Sequence, residues 1–158
     1  MARSKLTDIE TLTFPPRAIT LVTGCFDILH AGHVQLLEHA KLIDMNNFVA
    51  VGLNSDAAIA QLKGPRRPVN VFSHRALVMA AIEYVDFVFE IDALRVDRVI
   101  LNIAPRVWVK GGDYTMDTLD KGEVQAAKDV GAQIVLFRSE FEISTTRILA
   151  KSNEQAPS

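Results

Sequence analysis

Two kinds of apolar pattern alternate along this chain: compact β-branched runs, and longer stretches whose hydrophobes recur at helical spacing. Ala18–Thr23 (AITLVT), ended by Gly24, predicts a buried strand. From Ala31 to Asp44, the positions of Val34, Leu36, Leu37, Ala40 and Ile43 predict an amphipathic helix. Phe48–Leu53 is the second strand, and Asn54-Ser55-Asp56 caps a short helix reaching Gln61. Lys63–Pro68, with one glycine and a proline on either side of an arginine pair, reads as an irregular loop. Ser73 is the local cap for a helix to about Glu83, and Phe87–Ile91 is the third strand. A helix over Leu94–Asn102 leads to the fourth strand, Val107–Val109, which exits at Lys110-Gly111-Gly112-Asp113-Tyr114. The helix near Gly122–Val130 stops at Gly131, Ile134–Phe137 is the fifth strand, and Ser144-Thr145-Thr146 opens the last helix. Strands separated by helices in this way predict an α/β fold: a doubly wound, Rossmann-like, five-stranded parallel sheet with helices on both faces. The expected organisation is one domain over 1–158, its core at about 18–150, with flexible tails at 1–13 and 152–158.

Composition narrows the class. With 158 residues, 49% hydrophobic and 23% charged, the chain has the make-up of one globular domain. A single cysteine, Cys25, excludes an internal disulfide framework and fits a reducing compartment. Seventeen basic against nineteen acidic residues give a net charge of −2, so nothing favours nucleic acid as a partner. No apolar run approaches the ~20 residues that span a bilayer, and residues 1–13 lack the apolar segment of an export signal. The expectation is a cytoplasmic protein acting on small molecules, with no membrane partner.

Doubly wound sheets bind ligands where strand exits diverge. The segments Gly24–His33, Lys110–Tyr114 and Glu140–Arg147 all follow strands, and each is chemically unusual. His30 and His33, three apart on a first helical turn, share one side, and Gly32 between them has no Cβ to block an anion. A helix N-terminus adds unpaired N–H groups and a positive dipole end, which suits phosphate. The same residues allow a plainer reading, since His33 shares a face with Leu36 and Leu37 and fits a core histidine. Zinc on Cys25, His30 and His33 lacks a fourth ligand. Asp27 either orients His30 or caps the turn. Lys110 ends a strand, and Gly111-Gly112 permits a tight turn against a ligand. Asp113 reads substrate hydroxyls or a metal, or steadies the turn. Ser144, Thr145 and Thr146 form an anion site or a routine N-cap, with Arg147 adding charge. Trp108 alternates with strand residues and reads as packing, Cys25 as a small packed residue, and His39 and His74 as helix-surface residues.

His30-Ala31-Gly32-His33 matches the HxGH motif of the nucleotidyltransferase superfamily, and the string GCFDILHAGH resembles its cytidylyltransferase-like branch. KGGDY at Lys110–Tyr114 and ISTTR at Ile143–Arg147 resemble two further motifs of that branch. With LKGPRRPVN at Leu62–Asn70, the chain from Ile19 to Leu149 looks most like the adenylyltransferase domain of bacterial ADP-heptose synthesis. The resemblance implies AMP transfer from ATP to D-glycero-β-D-manno-heptose 1-phosphate, with Mg²⁺ accompanying the nucleotide. It implies catalytic roles for His30, His33 and Lys63. Nucleotide contacts would come from Gly24, Phe26, Asp27, Gly32, Arg75, Lys110, Gly111, Ser144, Thr145, Thr146 and Arg147, and acceptor contacts from Gly112, Asp113 and Tyr114. Arg66 and Arg67 are further candidates on the Lys63 loop. Metal ligands are unknown, and relatives make a homodimer an expectation.

Two features pull elsewhere. Heptose enzymes often carry this domain behind a sugar kinase. The segment RSEFEISTT (Arg138–Thr146) also resembles glycerol-3-phosphate cytidylyltransferases, which makes CTP with a small alcohol phosphate the alternative. A nucleotide-binding module without turnover is the alternative of another class.

Overall fold

In a computed structural model, residues 2–8 and 18–154 are described. The β-branched runs form five strands: β1 (Ile19–Gly24), β2 (Phe48–Asn54), β3 (Phe87–Ile91), β4 (Val107–Gly111) and β5 (Gln133–Phe137). Between and after them run α1 (Ala31–Ile43), α2 (Asp56–Lys63), α3 (Phe72–Ala80), α4 (Asp97–Ile103), α5 (Lys121–Asp129) and α6 (Thr145–Glu154). The sheet is parallel throughout, in the order β3-β2-β1-β4-β5. Chain order reverses between β1 and β4, so a crevice opens at the carboxyl ends of those two strands.

Alternation within the strands builds two cores, one on each face. Val22, Val49, Val51, Val107 and Val109 pack with Leu36, Leu37 and Ala40 of α1 and Ala76, Met79 and Ala80 of α3. Ile19, Leu21, Phe89 and Trp108 pack on the other face with Ile100 of α4 and Ala126 and Ala127 of α5. Trp108 is fully buried, and its indole N–H donates to Thr23 Oγ1 at 3.1 Å, so its packing role holds. No helix among the described residues is long and apolar enough to cross a membrane.

Several boundaries move for physical reasons. The α2 helix is capped by Ser55, whose hydroxyl accepts from Ala58 N, as expected, but runs on to Lys63. Lys63 therefore ends a helix instead of starting the loop. The α3 helix begins at Phe72, not at a Ser73 cap, because its Phe72 N–H finds Asp56 Oδ2 on another element. Lys110 and Gly111 lie inside β4, paired with Leu136 and Phe137. Asp120 caps α5 through Gly122 N and Glu123 N, and Gly131 follows its end at φ 67.

Parts of the two expected tails are among the described residues. Ala2–Lys5 form a 3₁₀ turn, Leu6 bridges Val88 in parallel, and Thr7 N donates to Val88 O at 3.0 Å. Residues 152–154 continue α6. The remainder of both expected tails lies outside the described residues.

Candidate active site

The three unusual segments converge at the carboxyl edge of the sheet. Thr145 Oγ1 reaches Ile28 O at 3.5 Å, joining the start of α6 to the β1–α1 turn. Ser139 Oγ donates to Gln35 Oε1 on α1 at 2.6 Å. Gly112 N donates to Phe137 O at 3.1 Å, and Arg138 faces Asp113 across 3.6 Å.

At the centre are the two motif histidines. His30 is the N-cap position of α1 in extended conformation, and no side chain caps the helix. The imidazoles of His30 and His33 stack, and the Phe26 ring tilts against His33 at 4.8 Å. The Nδ1 atoms of both histidines are buried, with no hydrogen-bond partner among the described residues. Burial pushes the His30 imidazole below its ordinary range. Burial, reinforced by His30, pushes His33 down to about 3. Both rings are therefore neutral at pH 7, poised beside an uncapped helix start that favours an anion.

The glycines of this turn make room for the protein's own side chains. A Cβ on Gly24 would lie 2.9 Å from the Phe26 ring, which Phe26 places there by adopting φ 47. One on Gly32 would lie 3.2 Å from both His30 Nδ1 and Ser139 Oγ. A Cβ on Gly111 would lie 2.6 Å from Leu36, so this glycine serves helix–sheet packing, not a tight turn; the turn is made by Gly112 at φ 122.

Four charged residues expected at the ligand have protein partners in this structure. Asp27 neither orients His30 nor caps the turn. It is buried, and its carboxylate accepts from Arg67 Nε, Val69 N and Asn70 N. Burial alone would raise its pKa, but the Asn70 and Val69 amides and Arg67 together hold the carboxyl below its usual range. Arg75 is 3% exposed and donates to Asn70 O, Cys25 O, Asn54 O and Asp56 Oδ1, tying two strand exits to the loop before α3. Lys110 pairs with buried Glu123 at 3.1 Å and stands over the Trp108 and Tyr114 rings. Arg147 binds the carbonyl and carboxylate of Glu142.

The remaining candidates are open to solvent. Ser144 Oγ caps α6 by accepting from Arg147 N, while Thr146 is exposed. Asp113 and Tyr114 border a groove of about 210 Å³ with Phe137 and Arg138. Lys63 and Arg66 are exposed, with no hydrogen bond or ion pair among the described residues. Burial raises the Cys25 thiol against the pull of Lys63, Arg75 and Arg67, which fits a packed residue. His74 is exposed, and His39 tilts against Phe137. Arg67, Asn70, Asp56 and Glu123 were not singled out as anchors by the sequence. Their partners lie on other elements, beyond the reach of local spacing.

The parallel sheet thus carries a stacked histidine pair at its switch point, beside an uncapped helix start. The chain belongs to the cytidylyltransferase-like family, whose model matches residues 21–151. Among curated relatives, the bifunctional protein HldE of Chromohalobacter salexigens is 40% identical over 131 residues, covering 83% of this chain. HldE of Alcanivorax borkumensis is 36% identical over 147 residues, 93% of this chain. The chain spans only 27% and 30% of the length of these two relatives. Solved structures support the fold. A lipopolysaccharide core biosynthesis protein from Thermoplasma volcanium superposes with a TM-score of 0.61 at 20% identity, covering 79% of this chain and 98% of that one. A pantothenate synthetase from Thermus thermophilus gives 0.60 at 17% identity, covering 96% of this chain and 70% of that one.

Proposed function

We propose that this chain transfers AMP from ATP to D-glycero-β-D-manno-heptose 1-phosphate and releases pyrophosphate. The carrying observation is the stacked, neutral His30–His33 pair at the uncapped start of α1. Ring N–H donors there meet charge as it grows on the α-phosphoryl group, while the first-turn amides hold a phosphate. An ionised phosphate oxygen of the acceptor attacks the α-phosphorus, and pyrophosphate leaves in line. No protein base is needed, because the attacking phosphate is already ionised. Lys63, Arg66 and the hydroxyls of Ser144, Thr145 and Thr146 supply the surrounding cations and donors.

The likeness to the bifunctional HldE proteins supports this acceptor and ATP as donor. Two separate strings, LKGPRRPVN and KGGDY, agree with that choice. Mg²⁺ belongs to the same proposal. The described residues hold no cluster of three His, Cys, Asp or Glu side chains suited to a metal, and Asp27 is saturated. The donor set therefore fits a cation carried on triphosphate oxygens better than one in a protein cage. When bound, such an ion neutralises phosphate charge.

The segment Arg138–Thr146 favours a second reading, CTP with glycerol 3-phosphate. Side-by-side pyrophosphate release decides between them. The expected result is a kcat/KM for ATP with the heptose 1-phosphate at least ~10-fold above that for CTP with glycerol 3-phosphate. The reverse ranking overturns the named substrates, and binding of either triphosphate without release with any acceptor favours a non-catalytic module.

A further inference from the structure

The loop between Lys63 and Phe72 has almost no attachment of its own. Gly64 N and Arg67 N make only local bonds, to Ala60 O and Gly64 O. Arg75 holds Asn70 O from α3. Every other tertiary hydrogen bond of residues 64–70, among the described residues, ends on Asp27. Asp27 Oδ1 accepts from Val69 N and Asn70 N at 2.9 Å, Oδ2 accepts from Arg67 Nε at 2.7 Å, and the Asp27 carbonyl accepts from Asn70 Nδ2 at 2.8 Å. The Asp27 and Arg67 side chains are 1% and 15% exposed, so this is a largely desolvated anchor.

We propose that Asp27 is a positioning residue: it tethers the 64–70 loop to the histidine turn and thereby fixes where Lys63 and Arg66 stand at the nucleotide phosphates. The role assigned to those two cations rests on the proposed function; the tether itself does not. Three features carry it. Asp27 stands three residues before His30, on the same turn, so the loop is fastened to the segment that holds the histidine pair. The loop's cations divide, with Arg67 spent on Asp27 while Lys63 and Arg66 stay exposed and without an ion pair among the described residues. Finally, only a carboxylate accepts all these donors. An asparagine would turn an amide N–H toward either Arg67 Nε or a backbone N–H, leaving two donors facing each other.

Limited trypsin digestion of the intact protein, read by mass spectrometry, tests the tether without any substrate. Asp27→Asn should speed cleavage after Lys63 and Arg66 by about tenfold or more, the scale of a lost charged hydrogen bond, while cleavage elsewhere stays as in wild type. Unchanged cleavage in a variant with wild-type far-UV circular dichroism overturns the tether. If Asp27→Asn does not fold, Arg67→Gln replaces it in the same digestion: faster cleavage after Lys63 and Arg66 supports the tether, and unchanged cleavage overturns it. Pyrophosphate release then reads positioning. Asp27→Asn should lower kcat with little change in acceptor KM, and adding it to the Lys63→Ala, Arg66→Ala double variant should cost no more than that double variant alone. Fully additive losses overturn action through these two cations. Absence of turnover in the wild type with either substrate pair counts against the proposed function, while the cleavage ratio still decides whether Asp27 places Lys63 and Arg66.

Discussion

The imidazoles of His30 and His33 lie face to face, ring centroids 3.7 Å apart and planes inclined by 19°. Two protonated rings at that distance would repel strongly, so the pair stays neutral until an anion arrives between them and solvent. A phosphate, the ligand proposed for this turn, would supply the counter-charge that the arrangement lacks.

Replacing either histidine with alanine should lower turnover at least about tenfold, the scale of a lost transition-state donor. Far-UV circular dichroism should show the fold retained. Near-wild-type rates of pyrophosphate release in both single variants would remove the pair from the chemistry.

The depressed pKa of His33 also makes stability depend on pH. Its folded-state value of about 3 lies below the ordinary 6.5, so the unfolded chain binds the proton first as pH falls. Its contribution is intact above 6.5 and is lost progressively down to about 3, approaching about 1.4 kcal/mol per pH unit within that window. His30 is shifted the same way by burial and adds a smaller share. Denaturant melts of wild type and His33→Gln between pH 7 and 4 isolate the effect. Parallel pH profiles would contradict it. Pyrophosphate binding should oppose the loss, since a bound anion favours the charged ring.

Gly32→Val sets a side chain against His30 and Ser139, whose atoms already lie 3.2 Å from an ideal Cβ. Triphosphate affinity by isothermal titration should fall far more than thermal stability does. Unchanged affinity would mean that the His30 ring needs no such clearance.

Arg75→Met should behave as a structural lesion. It removes the donor that now serves three carbonyls and Asp56 Oδ1, and should cost about 3 kcal/mol of stability by denaturant unfolding. A stable variant with only a raised nucleotide KM would return Arg75 to the ligand.

The architecture was legible because β-branched runs such as AITLVT and FVAVGL bury both faces of a parallel strand, and the helices between them keep an apolar stripe. The HxGH turn was legible for a related reason, since its chemistry is packed into adjacent positions. The roles of Asp27 and Arg75 were hidden because the side-chain partners of Asp27 sit 40 or more residues away, and those of Arg75 are spread over three other segments, as far as Cys25. A charge beside a motif looks like a ligand contact until the loop that neutralises it is seen. The start of α3 was hidden likewise: Ser73 was the visible local cap, but Asp56 reaches across from α2 to do that work. Lys110 has its partner only thirteen residues away, yet Glu123 lies on a helix that packs back beneath β4.

The bridge from Leu6 to Val88 alters what the sheet presents to other molecules. Among the described residues, β3 is partly occupied along its free side, while β5, a half-buried strand of five residues, forms the opposite margin with no described neighbour. A foreign strand seeking to extend this sheet, as in misassembly during concentration or refolding, therefore meets less obstruction at β5, and charged or proline substitutions there are where solubility would be tuned.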